Sequence, residues 1–268
     1  MTARLLLVVL LMAGCADGAA SRDSASVEAT GAATGPWWGP PGGVTWQIQL
    51  LDDVDTGFDV AVYDVDLVDT LQSTIDALHT DDRRVICYFS AGSHEDWRSD
   101  ASTYPEDVVG LPLDDWPGER WLDIRRLDVL GPILEARLDL AVGKGCDAVD
   151  PDNVDGYANL TGFDLTASDQ LAFNRWLADQ AHRRGLGIGL KNDLDQISEL
   201  VTVFDFAVNE ECFAFDECGL LPPFLDAGKA VLAIDYSSDP SVCAGAEAMG
   251  LSLVFKEWDL GAAMQTCP

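Results

Sequence analysis

Two stretches place carboxyl groups at the ends of short apolar runs: Asp150-Pro151-Asp152-Asn153-Val154-Asp155-Gly156 and Asn209-Glu210-Glu211. In a carboxyl pair, one member can protonate a leaving oxygen while the other attacks or activates water, which is the chemistry of glycoside hydrolysis. Glu210 directly follows an apolar run, where partial desolvation favours a protonated carboxyl and so suits a general acid. Lys191, one of four lysines, sits in Lys191-Asn192-Asp193 at the end of another run, where it can pair with a catalytic carboxylate or bind substrate. Plainer readings stand beside these. The first stretch is also a turn rich in Asp and Asn, Glu210 a solvated loop acid, and Lys191 a charge balancer.

Other chemistries fit less well. Counted as a calcium loop from Asp150, position 5 is Val154, the glycine falls at position 7 and position 12 is Thr161, so the ligand pattern fails. The histidines His79, His94 and His182 form neither a HExxH nor a triad, and no GxSxG elbow occurs. No CxxC pair suggests zinc. The sequence therefore calls for no metal and no cofactor.

These residues need elements to hold them. Eight short apolar runs recur: Thr45–Leu50, Val60–Leu67, Val85–Ser90, Cys146–Pro151, Leu186–Lys191, Phe206–Asn209, Ala230–Tyr236 and Leu251–Lys256. They are β-branched and aromatic, and several are apolar on both faces, as strands buried on both sides are. Between them Asp69–Leu78, Leu127–Val142 and Ala167–Arg184 read as amphipathic helices. Thr166 and Asp169 are spaced as a capping box, and His182-Arg183-Arg184-Gly185 supplies cations and a stop at the other end. Eight strands alternating with helices give an α/β fold, a (β/α)8 TIM-type barrel, with an open doubly wound sheet as the alternative. No GxGxxG follows a strand, which weighs against a nucleotide-binding version. The Pro- and Trp-rich stretch Tyr104–Ile124 reads as an elaborated loop after strand three, with a short extra strand at Trp121–Ile124. Function in a barrel sits at the C-terminal ends of its strands. Nearly every run here ends in a carboxylate, an amide or an aromatic residue.

The chain has 268 residues, 16 Lys and Arg against 46 Asp and Glu, and a net charge of −30. That balance excludes nucleic acid, which needs a basic footprint, and suits a cationic ligand. Residues 1–15 read as an export signal, since the apolar stretch Leu5–Met12 is too short to span a membrane. Met12-Ala13-Gly14-Cys15 resembles a bacterial lipobox with Cys15 as the lipid-attachment residue. Ordinary signal-peptidase cleavage is the alternative. Residues 16–43 read as a tether, its first part rich in Ala, Ser, Gly and Thr, leading into a domain over 44–268. Six cysteines remain beyond Cys15, enough for three disulfides in an exported protein. Cys212–Cys218 and Cys243–Cys267 are the local pairings. Cys87 and Cys146 lie near neighbouring strands and can pair or stay as thiols.

The ordered series WQIQL, YDVDL, VICYFSAGSHEDWR, WPGERWLDIR, GCDAVDPDNVDGY, GLKND and FAVNEECF, over about residues 44–267, resembles glycoside hydrolase family 114. The resemblance implies a (β/α)8 barrel and endo-α-1,4-polygalactosaminidase activity on a cationic polysaccharide. It places the catalytic pair on Asp152, as nucleophile or base, and Glu210, as acid, with Asp155 and Glu211 in the same motifs as their respective alternatives. Asp64, Tyr88, Asp155, Lys191, Asn192, Asp235 and Tyr236 become substrate contacts on the rim by position. The expected protein is a monomeric, exported, lipid-anchored hydrolase on the cell envelope. A carbohydrate-binding surface lipoprotein without catalysis and a hydrolase of another glycan are the alternatives.

Overall fold

The structure, a computed structural model, describes residues 37–268. Cys15, the export segment and most of the tether lie outside the described residues. The described part begins with β1 (Trp46–Gln49), β2 (Val62–Asp66) and β3 (Arg84–Ser90). Three short strands follow: β4 (Ser93–Glu95), β5 (Val109–Pro112) and β6 (Glu119–Leu122). Then come β7 (Ala148–Asp152), β8 (Gly187–Lys191), β9 (Phe206–Glu210), β10 (Val231–Asp235), β11 (Ser252–Lys256) and β12 (Met264–Thr266). The order β1-β2-β3-β7-β8-β9-β10-β11 is parallel throughout, and β12 pairs antiparallel with β11. These eight parallel strands are the eight apolar runs, and they curl into a nearly closed (β/α)8 TIM-type barrel. At the seam, Trp46 Nε1 donates to Ser252 O at 2.7 Å, Leu50 N to Leu260 O at 2.9 Å and Gln47 Nε2 to Ala262 O at 2.9 Å.

Alternation along each strand builds two cores. Tyr63, Val65, Val85, Cys87 and Val149 face out under the helices. Trp46, Ile48, Val62, Ile86, Phe206, Val208, Leu232, Ile234 and Val254 fill the interior. Gly189 makes room for the Phe206 ring, since a Cβ there would lie 2.5 Å from it. Above this apolar plug the inward positions turn polar, with Asp64, Asp150 and Lys191 all buried.

The helices are α1 (Gln72–Thr80), α2 (Leu127–Lys144), α3 (Ala167–Arg183), α4 (Ile197–Leu200), α5 (Pro222–Asp226) and α6 (Cys243–Met249). The capping box on α3 is present, Thr166 Oγ1 accepting from Asp169 N while the Asp169 carboxylate accepts from Thr166 N. The α1 helix starts three residues later than its pattern suggests. Asp66 Oδ1 accepts from the N–H groups of Val68 and Asp69 and holds that stretch in a turn. No helix follows β1. The Gln49 side chain braces that connection instead, donating to Leu51 O and Asp53 O and accepting from Asp55 N.

The elaboration after β3 is a three-stranded antiparallel sheet, β4-β6-β5, where the sequence suggested one strand. Cys87–Cys146, Cys212–Cys218 and Cys243–Cys267 are disulfides. The first ties β3 to the segment entering β7. Residues 37–43, the end of the stretch read as a tether, are seated on the domain. Trp37 stacks on His182 with ring centroids 3.6 Å apart, Pro41 bridges to Lys229, and Trp38 packs against the interior core.

Candidate active site

The strands β7, β8 and β9 end side by side at the C-terminal mouth, and each contributes its last residue. Lys191 Nζ lies 3.1 Å from Asp152 Oδ1 and 3.0 Å from Glu210 Oε2. The ammonium is buried at 4% side-chain exposure, whereas the two carboxyls are 19% and 24% exposed. The acids therefore face the mouth with the cation beneath and between them. Burial opposes the charge on Lys191. Asp152, Glu210 and Asp150 outweigh that effect and hold its pKa well above the usual ammonium value.

Further donors fix each carboxylate. Asp152 accepts from Tyr88 Oη at 2.9 Å and from Asn153 N at 2.7 Å. Glu210 accepts from Tyr236 Oη at 2.5 Å and from Asn192 Nδ2 at 3.2 Å, and its own N–H donates to Asn192 Oδ1 at 3.0 Å. Burial, then Asp152, pushes the Tyr88 phenol up, and burial, then Glu210, raises Tyr236. Both phenols stay protonated and act as donors.

The backbone explains why these side chains stay at the rim. Asn153, Asn192, Asp193 and Glu211, just past the three strands, have φ of 60°, 50°, 46° and 58°. This left-handed region turns the chain sharply away, and Asn and Asp tolerate it better than most residues. Gly92 lets β3 pass close to the end of β7. Its N–H donates to Asp152 O at 3.1 Å, and a Cβ there would sit 1.7 Å from Asn153 O.

An open cleft of about 380 Å³ lies over Glu210. Six carboxyls line it (Asp155, Asp193, Asp195, Glu210, Glu211 and Glu217), and no Lys or Arg does. Tyr157, Tyr236 and Trp258 supply aromatic surface. Trp258 meets Tyr236 edge-on at 4.8 Å and stacks on Trp116, from the loop between β5 and β6, at 6.0 Å. Burial, then Asp152, raises Asp155 to about 6, and burial, then Asp155, raises Asp193 to about 8. A second cleft, of about 580 Å³, is lined by Asp52, Asp53, Asp66 and Asp69 at the ends of β1 and β2. Among the described residues no cluster of His, Cys, Asp and Glu is arranged to hold a metal ion.

The structure thus brings together Asp152, Glu210, Tyr88, Lys191, Asn192 and Tyr236, with Asp155 and Glu211 on the cleft wall. It does not bring Asp64 or Asp235 to the cleft. Asp64 is 0% exposed, a layer below the rim in register with Ile48 and Ile86. Asp235 alternates to the face opposite Ile234 and accepts from Ser237 N and Oγ, which closes the turn after β10. Sequence reasoning gave no site role to Tyr157, Asp193, Asn209, Trp258 or Trp116, although it placed Asp193, Asn209 and Trp258 at strand ends. Those three lie within two residues of the ends of β8, β9 and β11.

The family model described as glycoside-hydrolase family GH114 matches residues 27–268. The crystal structure of Ega3 from Aspergillus fumigatus, in complex with galactosamine, is 40% identical, covers 87% of this chain and 99% of its own, and superposes with a TM-score of 0.84. The glycoside hydrolase domain of PelA from Pseudomonas aeruginosa is 14% identical over 85% of this chain and 99% of its own, with a TM-score of 0.66, a likeness of fold. No curated protein matches. With the barrel, the paired carboxyls and a family match over nearly its whole length, this chain belongs to glycoside-hydrolase family GH114 and is a glycoside hydrolase.

Proposed function

We propose that the enzyme cuts an α-1,4-linked, galactosamine-containing polysaccharide within the chain, with Asp152 as nucleophile and Glu210 as acid and base. The observation that carries this reading is Lys191, whose one ammonium contacts both carboxyls. Two oxygens each about 3 Å from one nitrogen are at most about 6 Å apart. That spacing fits the roughly 5–5.5 Å of retaining enzymes better than the wider gap that holds a water in inverting ones. Protonated Glu210 gives its proton to the glycosidic oxygen as Asp152 bonds to the anomeric carbon and the leaving chain departs as an alcohol. Glu210, now a carboxylate, takes a proton from water, which displaces Asp152 and restores both groups. Lys191 stays charged throughout and balances whichever carboxylate is ionised.

The galactosamine bound to Ega3, at 40% identity, supports the substrate class. The six carboxyls lining the cleft suit free amines, and a net charge of −30 draws a cationic polymer toward the protein. Three disulfides support a site of action outside the cytoplasm. The lipobox-like segment supports anchoring through Cys15 on the cell envelope, and we take the enzyme to act there as a monomer.

The test uses protein beginning at Pro36, with disulfides formed, and partially deacetylated α-1,4-galactosaminan. Mass spectrometry should find oligomers from the wild type and none from Asp152→Asn or Glu210→Gln. NMR should show the first product with α configuration. A folded wild type that binds the polymer without cutting it would move the assignment to carbohydrate binding, and a first product of β configuration would overturn Asp152 as nucleophile.

A further inference from the structure

Beneath the catalytic pair the barrel interior holds two more acids that the reaction above does not use. Asp64 on β2 and Asp150 on β7 are both 0% exposed. None of their four carboxyl oxygens meets an N–H or O–H donor from the rest of the described chain. They meet each other, side chain to side chain, at hydrogen-bonding range. Two buried carboxylates cannot stand in contact with both ionised, since each would lose its hydration and repel the other. A hydrogen bond between them requires a proton on one.

The surroundings decide which one. The charged groups facing the pair are Lys191 from β8, Asp152 on β7 and Glu210 from β9, while Tyr88 on β3 lies in register with Asp150. Lys191 favours the charged form of both acids, but Asp150 stands on β7, the strand paired with β8, whereas Asp64 stands on β2, with β3 between it and β7. We propose that Asp64 and Asp150 share one proton, kept on Asp64, so that a single negative charge on Asp150 anchors the Lys191 ammonium from below. The shifts agree in direction. Burial raises both acids, Asp150 to about 7 and Asp64 well beyond the usual carboxylate range. Asp64 and Asp150 are then positioning residues. Asp64 fixes Asp150, Asp150 acts on Lys191 through space without touching it, and Lys191 holds Asp152 and Glu210. The inference rests on the proposed roles of that pair, but the proton itself can be read without any turnover.

Infrared spectroscopy of the wild type near neutral pH should show the carbonyl stretch of a buried, protonated carboxylic acid. Asp193 and Glu119, also raised by burial, contribute to that region, so the reading is by difference: wild type minus Asp64→Asn should carry the band and wild type minus Asp150→Asn should not. In kinetics, Asp150→Asn should lower kcat by roughly tenfold with little change in KM. It should also move the basic limb of the pH profile to lower pH, because a negative charge that helps the acid keep its proton is gone. Asp64→Asn, whose amide still donates to Asp150, should retain more of kcat than Asp64→Leu, which cannot donate. A difference spectrum of wild type minus Asp64→Asn that lacks the acid band, or equal losses in Asp64→Asn and Asp64→Leu, would overturn the proposal. If Asp150→Asn fails to fold, the infrared comparison of wild type with Asp64→Asn decides. If no polymer is turned over, the same comparison separates failure of the proton assignment from failure of the substrate assignment.

Discussion

Lys191 is the residue on which the site turns. A buried ammonium is costly alone and is retained here because acids surround it. Lys191→Met keeps most of the side-chain volume and removes the charge, leaving Asp152 and Glu210 to repel each other across at most about 6 Å. We expect kcat to fall by about 10²–10³-fold. KM should change little, because a side chain only 4% exposed does not touch the substrate directly. Lys191→Arg should not rescue the activity, since a planar guanidinium does not fit a position shaped for one tetrahedral nitrogen. Steady-state kinetics on protein with wild-type near-ultraviolet circular dichroism checks this, and a kcat within about threefold of wild type would sink the role. The sequence carried enough to single out Lys191, a lysine at a strand end among acids, but left open whether it pairs with a catalytic carboxylate, binds substrate or only balances charge. It could not tell that Asp64 lies a layer below the rim. Strand ends are visible in the apolar pattern, but the height of a residue along the barrel axis depends on the stagger between strands, which no local pattern records.

At the scale of elements, the small sheet β4-β6-β5 joins the barrel through a charge network set beside buried Val109 and Leu122. Arg137 on α2 is buried and donates to Ser90 O at 2.7 Å, Glu95 Oε2 at 3.1 Å and Asp100 at 2.9 and 3.0 Å. Arg98 donates to Asp66 Oδ2 at 2.6 Å and Glu95 Oε1 at 2.8 Å, which brings in the end of β2. A second branch reaches the site itself. Glu119 on β6 accepts from Ser93 Oγ at 2.6 Å, Ser93 meets Ser90, and Asn153 Nδ2 donates to Ser90 Oγ at 2.9 Å. Asn153 in turn donates its N–H to Asp152. Arg137→Met strands Asp100 without its main partner and leaves Glu95 with Arg98 alone, so unfolding free energy should drop by about 3–5 kcal/mol. Urea denaturation measures it, and a loss below about 1 kcal/mol would mean that apolar packing, not the ion network, holds the sheet. The eight barrel strands were legible in the sequence because each is an apolar run buried on both faces. The strands β4 and β5 were not. At three and four residues they are too short to show a period, and they are defined by antiparallel pairing with β6 that no local pattern records. The missing helix after β1 was equally hidden, since one glutamine side chain does its work.

For the whole molecule, buried acids set how stability follows pH. Asp155, Glu119 and Asp193 are raised, chiefly by burial, to about 6, about 7 and about 8. Each keeps a proton in the fold that the unfolded chain releases above about pH 4. Between those values the native state binds more protons than the unfolded state, so unfolding free energy falls as pH rises. Their contribution is complete below about pH 4 and is lost as pH climbs through about 6, 7 and 8 in turn. The Asp64 and Asp150 pair acts with the same sign. Asp100, held down by Arg137 against the effect of burial, acts with the opposite sign and loses its support only as pH falls below the normal carboxylate range. The net charge of −30 works with the raised acids, because self-repulsion grows as they ionise.

The balance therefore favours the acid side of neutrality. One proton over one pH unit is worth about 1.4 kcal/mol, and a chain of this size moves Tm by about 2–4 °C per kcal/mol. A fall in Tm of at least about 5 °C from about pH 5 to about pH 8 is expected at constant ionic strength. The Asp193→Asn variant separates burial from general charge repulsion. Asparagine cannot ionise, and it leaves Asn174, whose Nδ2 donates to Asp193 Oδ2 at 2.8 Å, with an oxygen acceptor. Its Tm should decline less steeply toward pH 8 than that of the wild type, while added salt flattens both curves by a similar amount. If Asp193→Asn and the wild type fall in parallel, the slope comes from the overall negative charge, and the buried acid at the end of β8 is ionised well before neutrality. A Tm that rises toward pH 8 would overturn both causes together.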